Sequence, residues 1–321
     1  MRAFITGASG FIGGHLADRL ARDGWTVRGF DARARIPAHK DVEMVTGDIR
    51  NAALLRSVLP GMDVVFHLAS ALGSSRIGDE EFFGINAEGT RTVLAAAKDA
   101  GVRRVVHFSS AGVLGHVKSG VADENLPPNP QDVYDRSKLE GEKIALAAAR
   151  SGQDVAVVRP GWVYGPGDRR TLKLIRAIAR RRFILVAQGR TLQTPVYIDD
   201  LVAGTLLCAA KGRRGEVYHL AGPEVLSVKR IAETIAAAAG SGVPRVSLPL
   251  GPVKAAAWVM GGVFSLFGKE APLNPSRLAF FVHPKPLDIL KAVRELGYAP
   301  GWTLEKGMTA AVAWYRAEQW I

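Results

Sequence analysis

The sequence predicts an α/β fold, a doubly wound parallel sheet with helices on both faces and a smaller region interleaved towards the carboxyl end. Three observations carry this. Short β-branched or apolar runs alternate with helical patterns through the first half. A glycine-rich turn follows the first such run directly. Finally, 48% hydrophobic content over 321 residues supplies core for one large or two ordinary domains and excludes whole-chain disorder.

Residues 2–6 read as a buried strand, 15–22 as a helix and 26–30 as a second strand. Residues 42–45 form a third strand and 52–59 a helix. The run at 64–68 is a strongly apolar strand, followed by a long helix over 87–100. Residues 105–109 and 155–159 are further β-branched runs bounded by Gly or Pro. Parallel strands need crossover connections, and helices supply them here. Past Gly161 the pattern loosens, with more prolines and two short strands at 196–198 and 217–220. The predicted division is residues 1–160, with returning segments near 196–220, and a second region over 161–321.

Lys plus Arg number 42 against 30 Asp plus Glu, a net charge of +12. Such a balance suits nucleic acid, an anionic membrane, acidic substrates or simply a solvated surface. Cys208 is the single cysteine, which excludes a disulfide scaffold and a cysteine-based metal cluster; no metal is expected. It lies in an apolar run, as a buried, inert thiol does. Nothing calls for an oxidising compartment, so the expected location is cytoplasmic. Residues 1–5 lack the apolar run of a signal peptide. The uncharged stretch 255–268 has 14 residues, against about 20 needed to span a bilayer; peripheral membrane contact is the most it suggests.

Thr6-Gly7-Ala8-Ser9-Gly10-Phe11-Ile12-Gly13 stands between a strand and a helix. Gly7 permits a tight turn, Gly10 lets backbone approach a pyrophosphate, and Gly13 lets helix and strand pack closely. Phe11 and Ile12 complete the loop, and the helix amino terminus offers N–H groups to phosphates. Together these predict a Rossmann-type dinucleotide site. Asp31, 24 residues after Gly7, suits the ribose hydroxyls and repels a 2′-phosphate, favouring NAD over NADP. Arg33 and Arg35 lie close enough to suit the phosphate instead.

Tyr134-Asp135-Arg136-Ser137-Lys138 sets a tyrosine and a lysine one helical turn apart. An ammonium near a phenol favours its ionised form and draws the pKa towards working pH, giving a general acid/base for a hydroxyl proton. Upstream, Phe108-Ser109-Ser110-Ala111 closes a strand with a hydroxyl suited to a substrate oxygen.

Residues 6–13, Ser110, Tyr134 and Lys138, in this order and spacing, resemble the extended short-chain dehydrogenase/reductase family, the NAD-dependent epimerase/dehydratase superfamily. Further matches are Gly47-Asp48, His67-Leu68-Ala69, Asn86-Ala87-Glu88-Gly89-Thr90, Arg159-Pro160-Gly161, Tyr164-Gly165-Pro166-Gly167, Tyr197-Ile198-Asp199-Asp200 and Leu296-Gly297-Tyr298. The resemblance implies that Asp48 and Ile49 flank the adenine and that Leu68 and Ala69 lie against the dinucleotide. It makes Ser110, or Ser109 one residue earlier, the group that polarises the substrate oxygen. Tyr134 becomes the proton shuttle, and Lys138 the holder of the nicotinamide ribose. Pro160 and Gly161 border the nicotinamide, and 161–321 becomes mainly substrate-binding. Asn86 reads equally as a site residue or an ordinary polar helix residue.

Sugar-nucleotide members carry arginines where this chain reads Leu192-Gln193-Thr194-Pro195 and His283-Pro284-Lys285-Pro286. Dehydratases carry Thr-Asp/Glu where it reads Ala111-Gly112-Val113. The segments Pro272-Leu273-Asn274-Pro275-Ser276-Arg277 and Trp314-Tyr315-Arg316, and the apolar 252–268 with Trp258, Met260, Phe264 and Phe267, resemble the 3β-hydroxysteroid dehydrogenase and dihydroflavonol reductase branch. The leading expectation is an NAD-dependent oxidoreductase on an apolar, sterol- or isoprenoid-like ring substrate. A nucleotide-sugar 4-epimerase and a non-catalytic NAD-binding scaffold are the alternatives. A small-molecule substrate and a homodimer are the expected partners, and nucleic acid is not. Residues 169–198 hold eight basic residues and no acid. That stretch suits a substrate phosphate, anionic lipid or water.

Overall fold

The computed structural model describes residues 1–33, 39–72, 75, 77–266, 278 and 281–321. Arg35, Phe267 and the 272–277 segment singled out above lie outside the described residues. Strands β1 (Arg2–Thr6), β2 (Thr26–Asp31), β3 (Val42–Thr46), β4 (Val64–His67), β5 (Arg104–Phe108) and β6 (Val155–Pro160) form most of the main sheet. Short strands β7 (Trp162–Tyr164), β8 (Leu185–Val186), β9 (Leu192–Gln193) and β10 (Pro195–Tyr197) follow. The chain then returns to the sheet with β11 (Val217–Leu220). The sheet has seven strands in the order β11-β6-β5-β4-β1-β2-β3, every pairing parallel. This is the doubly wound fold that the sequence predicts.

Helices α1 (Phe11–Arg22), α2 (Ala52–Val58), α3 (Asp79–Phe83), α4 (Gly89–Asp99), α5 (Val133–Arg150), α6 (Arg169–Ala179) and α7 (Ile198–Lys211) make the crossovers and cover the sheet. Alternation within β1 shows both faces buried: Ala3 and Ile5 join a core with Leu16, Leu20 and Leu201. Phe4 points the other way, into a core with Leu55, Val93, Leu94 and Ala145. Burying both faces is what makes these strands apolar without polar alternation.

Two sequence expectations are corrected. The helix expected over 87–100 starts at Asp79 and passes through a π-helical turn at Gly84–Glu88 before α4. Asp79, Glu80 and Glu81 favour that earlier start, since acids in a first turn face the positive end of the helix dipole. The strand expected at 196–198 is β10, which pairs with β7 outside the main sheet.

One buried ion pair ties α5 to the sheet. Arg159 on β6 donates through Nε and Nη2 to the Glu142 carboxylate at 2.9 and 2.5 Å, with both side chains buried. Removing one partner strands the other charge, which costs about 3–5 kcal/mol. Glu142→Gln is therefore expected to lower the urea-unfolding free energy by that much. Arg159→Met with Glu142→Leu should recover most of it; equal losses in the single and double variants would disprove the pairing argument.

Candidate active site

In the doubly wound order the chain runs outward from β1 to β3, then crosses back to β4. The crevice between β1 and β4, at their carboxyl ends, is where such sheets bind ligands. Gly7 turns there with φ +75°, and a Cβ on it would come within 2.8 Å of the Ala69 amide nitrogen. A Cβ on Gly13 would run into the Gly7 carbonyl oxygen. Gly10 caps α1 with no side chain on the helix N–H groups. Phe11 and Ile12 follow, half-buried. This cradle fits a dinucleotide pyrophosphate.

At the end of β2, Asp31 accepts hydrogen bonds from the amides of Ser9 (3.1 Å) and Arg33 (3.0 Å). Its carboxylate is thereby fixed beside the glycine loop, as a ribose acceptor requires. Asp48 sits farther out with its carboxylate on Arg50, at 2.6–3.1 Å, and Arg50 also reaches Glu81. Those hydrogen bonds hold the Asp48 carboxyl below the usual range. Ile49 is buried in the core beneath. Pro160 ends β6, and the amide of Gly161 just after it bonds the Leu220 carbonyl.

A buried chain of hydrogen bonds crosses the crevice floor. The Ala69 amide donates to Thr6 Oγ1 (3.1 Å), which lies 2.7 Å from His67 Nδ1. His67 Nε2 lies 3.0 Å from Thr90 Oγ1, whose hydroxyl donates to the Asn86 carbonyl at 2.7 Å. Because Thr90 spends its proton on Asn86, His67 must donate from Nε2 and accept at Nδ1 from Thr6. Burial, with the Lys138 cation adding, lowers His67 to about 3 and keeps it neutral. The Asn86 side chain accepts from the Ala71 amide (2.8 Å) and donates to Ser137 Oγ (2.8 Å). It thus fastens the loop after β4 to α5. Thr6 and His67, polar ends of otherwise apolar strands, were the sequence signal for this network.

Ser110 follows β5 as the cap of a short 3₁₀ turn, its Oγ accepting from the Gly112 amide at 3.0 Å. Its side chain also lies against Tyr134 and favours the phenolate. Ser109 points into the interior, its hydroxyl buried without a partner among the described residues. Tyr134 and Lys138 lie one turn apart on α5, which Asp132 caps through the Asp135 amide. Lys138 Nζ donates to the Phe108 carbonyl at 2.5 Å. Burial pulls that ammonium down to about 8, against the Glu142 charge.

The phenol differs from the sequence expectation. Burial raises the Tyr134 pKa, and Asp135 adds to the rise. The Lys138 ammonium is turned to the Phe108 carbonyl rather than to the phenol, so desolvation outweighs the attraction the spacing suggested. Asp135, which sequence reading passed over, is buried 3.8 Å from Lys285 Nζ.

The fold and this edge define an NAD-dependent enzyme of the short-chain dehydrogenase/reductase class. The model of the NAD dependent epimerase/dehydratase family matches residues 3–221. The chain belongs to that family, whose members are extended short-chain dehydrogenases/reductases. It is 33% identical, over 97% of its length and 95% of the relative's, to a 4-hydroxy-2-methyl-3-oxo-4-farnesyl-3,4-dihydroquinoline-1-oxide ketoreductase of Stigmatella aurantiaca. It is 31% identical to the 3β-hydroxysteroid dehydrogenase/Δ5→4-isomerase of Mycobacterium tuberculosis, over 98% of this chain and 90% of that one. Among solved structures, the dTDP-glucose 4,6-dehydratase of Streptomyces venezuelae with NAD bound superposes with a TM-score of 0.80 at 29% identity, covering 99% and 98% of the two chains.

Burial pushes the Asp135 carboxyl up to about 6, against the attraction of Lys285. Its unfolded value is about 3.9, so between those values the folded protein binds the extra proton. The stabilisation from that proton is complete below the unfolded value and is lost as pH rises through about 6. Asp135→Asn should match wild type near pH 4 in urea melts. By pH 7 it should be the more stable, by on the order of 3 kcal/mol at most. A difference that does not change with pH would contradict this account.

Proposed function

We propose that this protein is an NAD-dependent oxidoreductase that interconverts a secondary alcohol and a ketone on an apolar, ring-containing substrate. The observation that carries the chemistry is the placing of Ser110 against Tyr134, beside buried Lys138, past the carboxyl end of β5. In the oxidative direction Tyr134 Oη takes the proton of the substrate hydroxyl, while Ser110 Oγ holds the same oxygen. In the reductive direction Tyr134 returns the proton to the oxygen of the ketone. When bound, NAD supplies the hydride acceptor for the alcohol carbon. Asp31 holds the adenosine ribose and favours NAD, Gly7, Gly10 and Gly13 seat the pyrophosphate, and Lys138 holds the nicotinamide ribose.

Two positions support an apolar substrate over a sugar nucleotide. Gln193 is buried and donates to the His283 carbonyl at 3.1 Å, so its side chain is engaged inside the protein. Lys285 is held towards Asp135. Nearby, Ala111, Val113, Leu114, Val117, Ala122 and Leu287 form an apolar cluster. The activities for which the ketoreductase and steroid dehydrogenase relatives are named, on a farnesylated ring and on steroids, agree with that lining. Two copies would pair through α4 and α5, where Ala95, Ile144, Ala147 and Ala148 line a shallow groove.

With purified protein and a 3β-hydroxysterol panel, NADH should accumulate in proportion to ketone. A nucleotide-sugar 4-epimerase would instead isomerise UDP-sugar with no net NADH, and that outcome would replace this reading. Tyr134→Phe should lower kcat at least ~100-fold, the scale of a positioned acid/base. Its NAD affinity in titration calorimetry should stay within a few-fold of wild type; retained turnover would remove Tyr134 from the mechanism. Asp31→Ala should weaken NAD relative to NADP, and an unchanged ratio would remove the basis for the cofactor preference.

A further inference from the structure

Past the short strand β12 (Leu226–Ser227), helix α8 (Val228–Ala238) leads through β13 (Ser247–Leu248) into α9 (Leu250–Leu266). Along α9, Val253 and Ala257 turn inward and pack with Val186 and Leu278. Its outward side carries Ala255, Ala256, Trp258 and Val259, with Trp258 77% exposed and Val259 53%. A helix seated on a core ordinarily turns charge to water, yet Lys254 is the one charged residue in α9.

The strand edge feeding α9 continues the pattern. β13 pairs in parallel with β8, and the Leu185 amide bonds the Val246 carbonyl at 3.0 Å. Ile184, Val246 and Leu248 are all exposed along this edge. Beside it, Arg181 and Arg245 flank a groove of about 430 Å³ with Val243 at its wall. Arg180, Arg181, Arg182, Arg245 and Lys254 are exposed and make no ion pair with the described residues. Residues 169–198 contain no acid, and neither do 234–266. The β8–β13 pairing therefore brings together two stretches that are acid-free and distant in sequence.

We propose that the outer face of α9 and the adjoining β8–β13 edge form a docking surface for an anionic phospholipid bilayer. Exposed apolar side chains interleaved with cations, and an exposed tryptophan, are the chemistry that partitions to a membrane interface. The arginines meet the headgroup phosphates, while Trp258 and Val259 enter the acyl boundary. No described helix is long and apolar enough to cross a membrane, so the contact is peripheral. A second copy is a poor occupant, because self-pairing of this face would set cation against cation. The surface lies on elements other than those carrying Tyr134 and Ser110, so the inference stands apart from the catalytic reading.

The test is co-sedimentation of the full chain with phosphatidylcholine vesicles, with and without phosphatidylglycerol, at low and high salt. Wild type should bind the phosphatidylglycerol vesicles at least tenfold more tightly than the neutral ones, and salt should weaken that binding. Trp258→Ala and the pair Arg181→Gln with Arg245→Gln should each weaken it at least tenfold. Thermal melts and turnover of a water-soluble substrate should match wild type, which separates lost docking from lost folding. Equal binding to both vesicle types, or undiminished binding by the variants, would overturn the proposal. So would a Trp258→Ala change in oligomeric mass by light scattering with vesicle binding intact, which would assign the face to a second copy.

Discussion

The buried hydrogen-bond chain from the Ala69 amide through Thr6, His67 and Thr90 to the Asn86 carbonyl is the constraint on which the catalytic edge depends. It fastens the carboxyl ends of the paired strands β1 and β4 to the π-helical turn below the crevice. Each member has one donor direction left once its neighbour is fixed, so the histidine tautomer and both hydroxyl rotors are determined together. Asn86 extends the chain sideways to α5, and α5 carries Tyr134 and Lys138. The π-helical turn is where the Asn86 carbonyl accepts from Thr90.

Helix α5 meets three environments along one face. Tyr134 is half-buried beside Ser110, Lys138 is buried against the Phe108 carbonyl, and Glu142 is buried against Arg159. A single 3.6-residue period brings all three to the sheet. Burial rather than mutual attraction dominates their titration: it raises the phenol and lowers the ammonium. The buried histidines beside Lys138 respond in the same sense, His107 and His67 both being kept neutral by burial and the neighbouring cation.

The excess of positive charge is unevenly placed. The amino-terminal helices pair many of their arginines, as Arg19 does with Asp23 and Arg56 with Asp99. In the 169–198 stretch, Arg169 stacks on Trp320 and Arg176 bonds the Trp320 carbonyl. The remaining cations near β8 face outward around exposed apolar side chains. A charge total thus divides into ion-paired helix surface, aromatic packing and one acid-free face.

By itself the sequence determined the parallel sheet, the glycine turn and the one-turn spacing of Tyr134 and Lys138, because each rests on local spacing. A strand–turn–helix with glycines at fixed offsets and a pair one helical turn apart need no long-range information. The tertiary structure alone decided that Ser110 rather than Ser109 meets Tyr134, since that depends on how the chain leaves β5. It decided that Asn86 bridges to Ser137, that Lys285 lies beside Asp135, and that two acid-free stretches meet at β8 and β13. These contacts join residues far apart in the chain, and no periodicity encodes them. It also reversed the expected shift of the Tyr134 phenol, because spacing reports which side chains share a helix face but not how far each is removed from water.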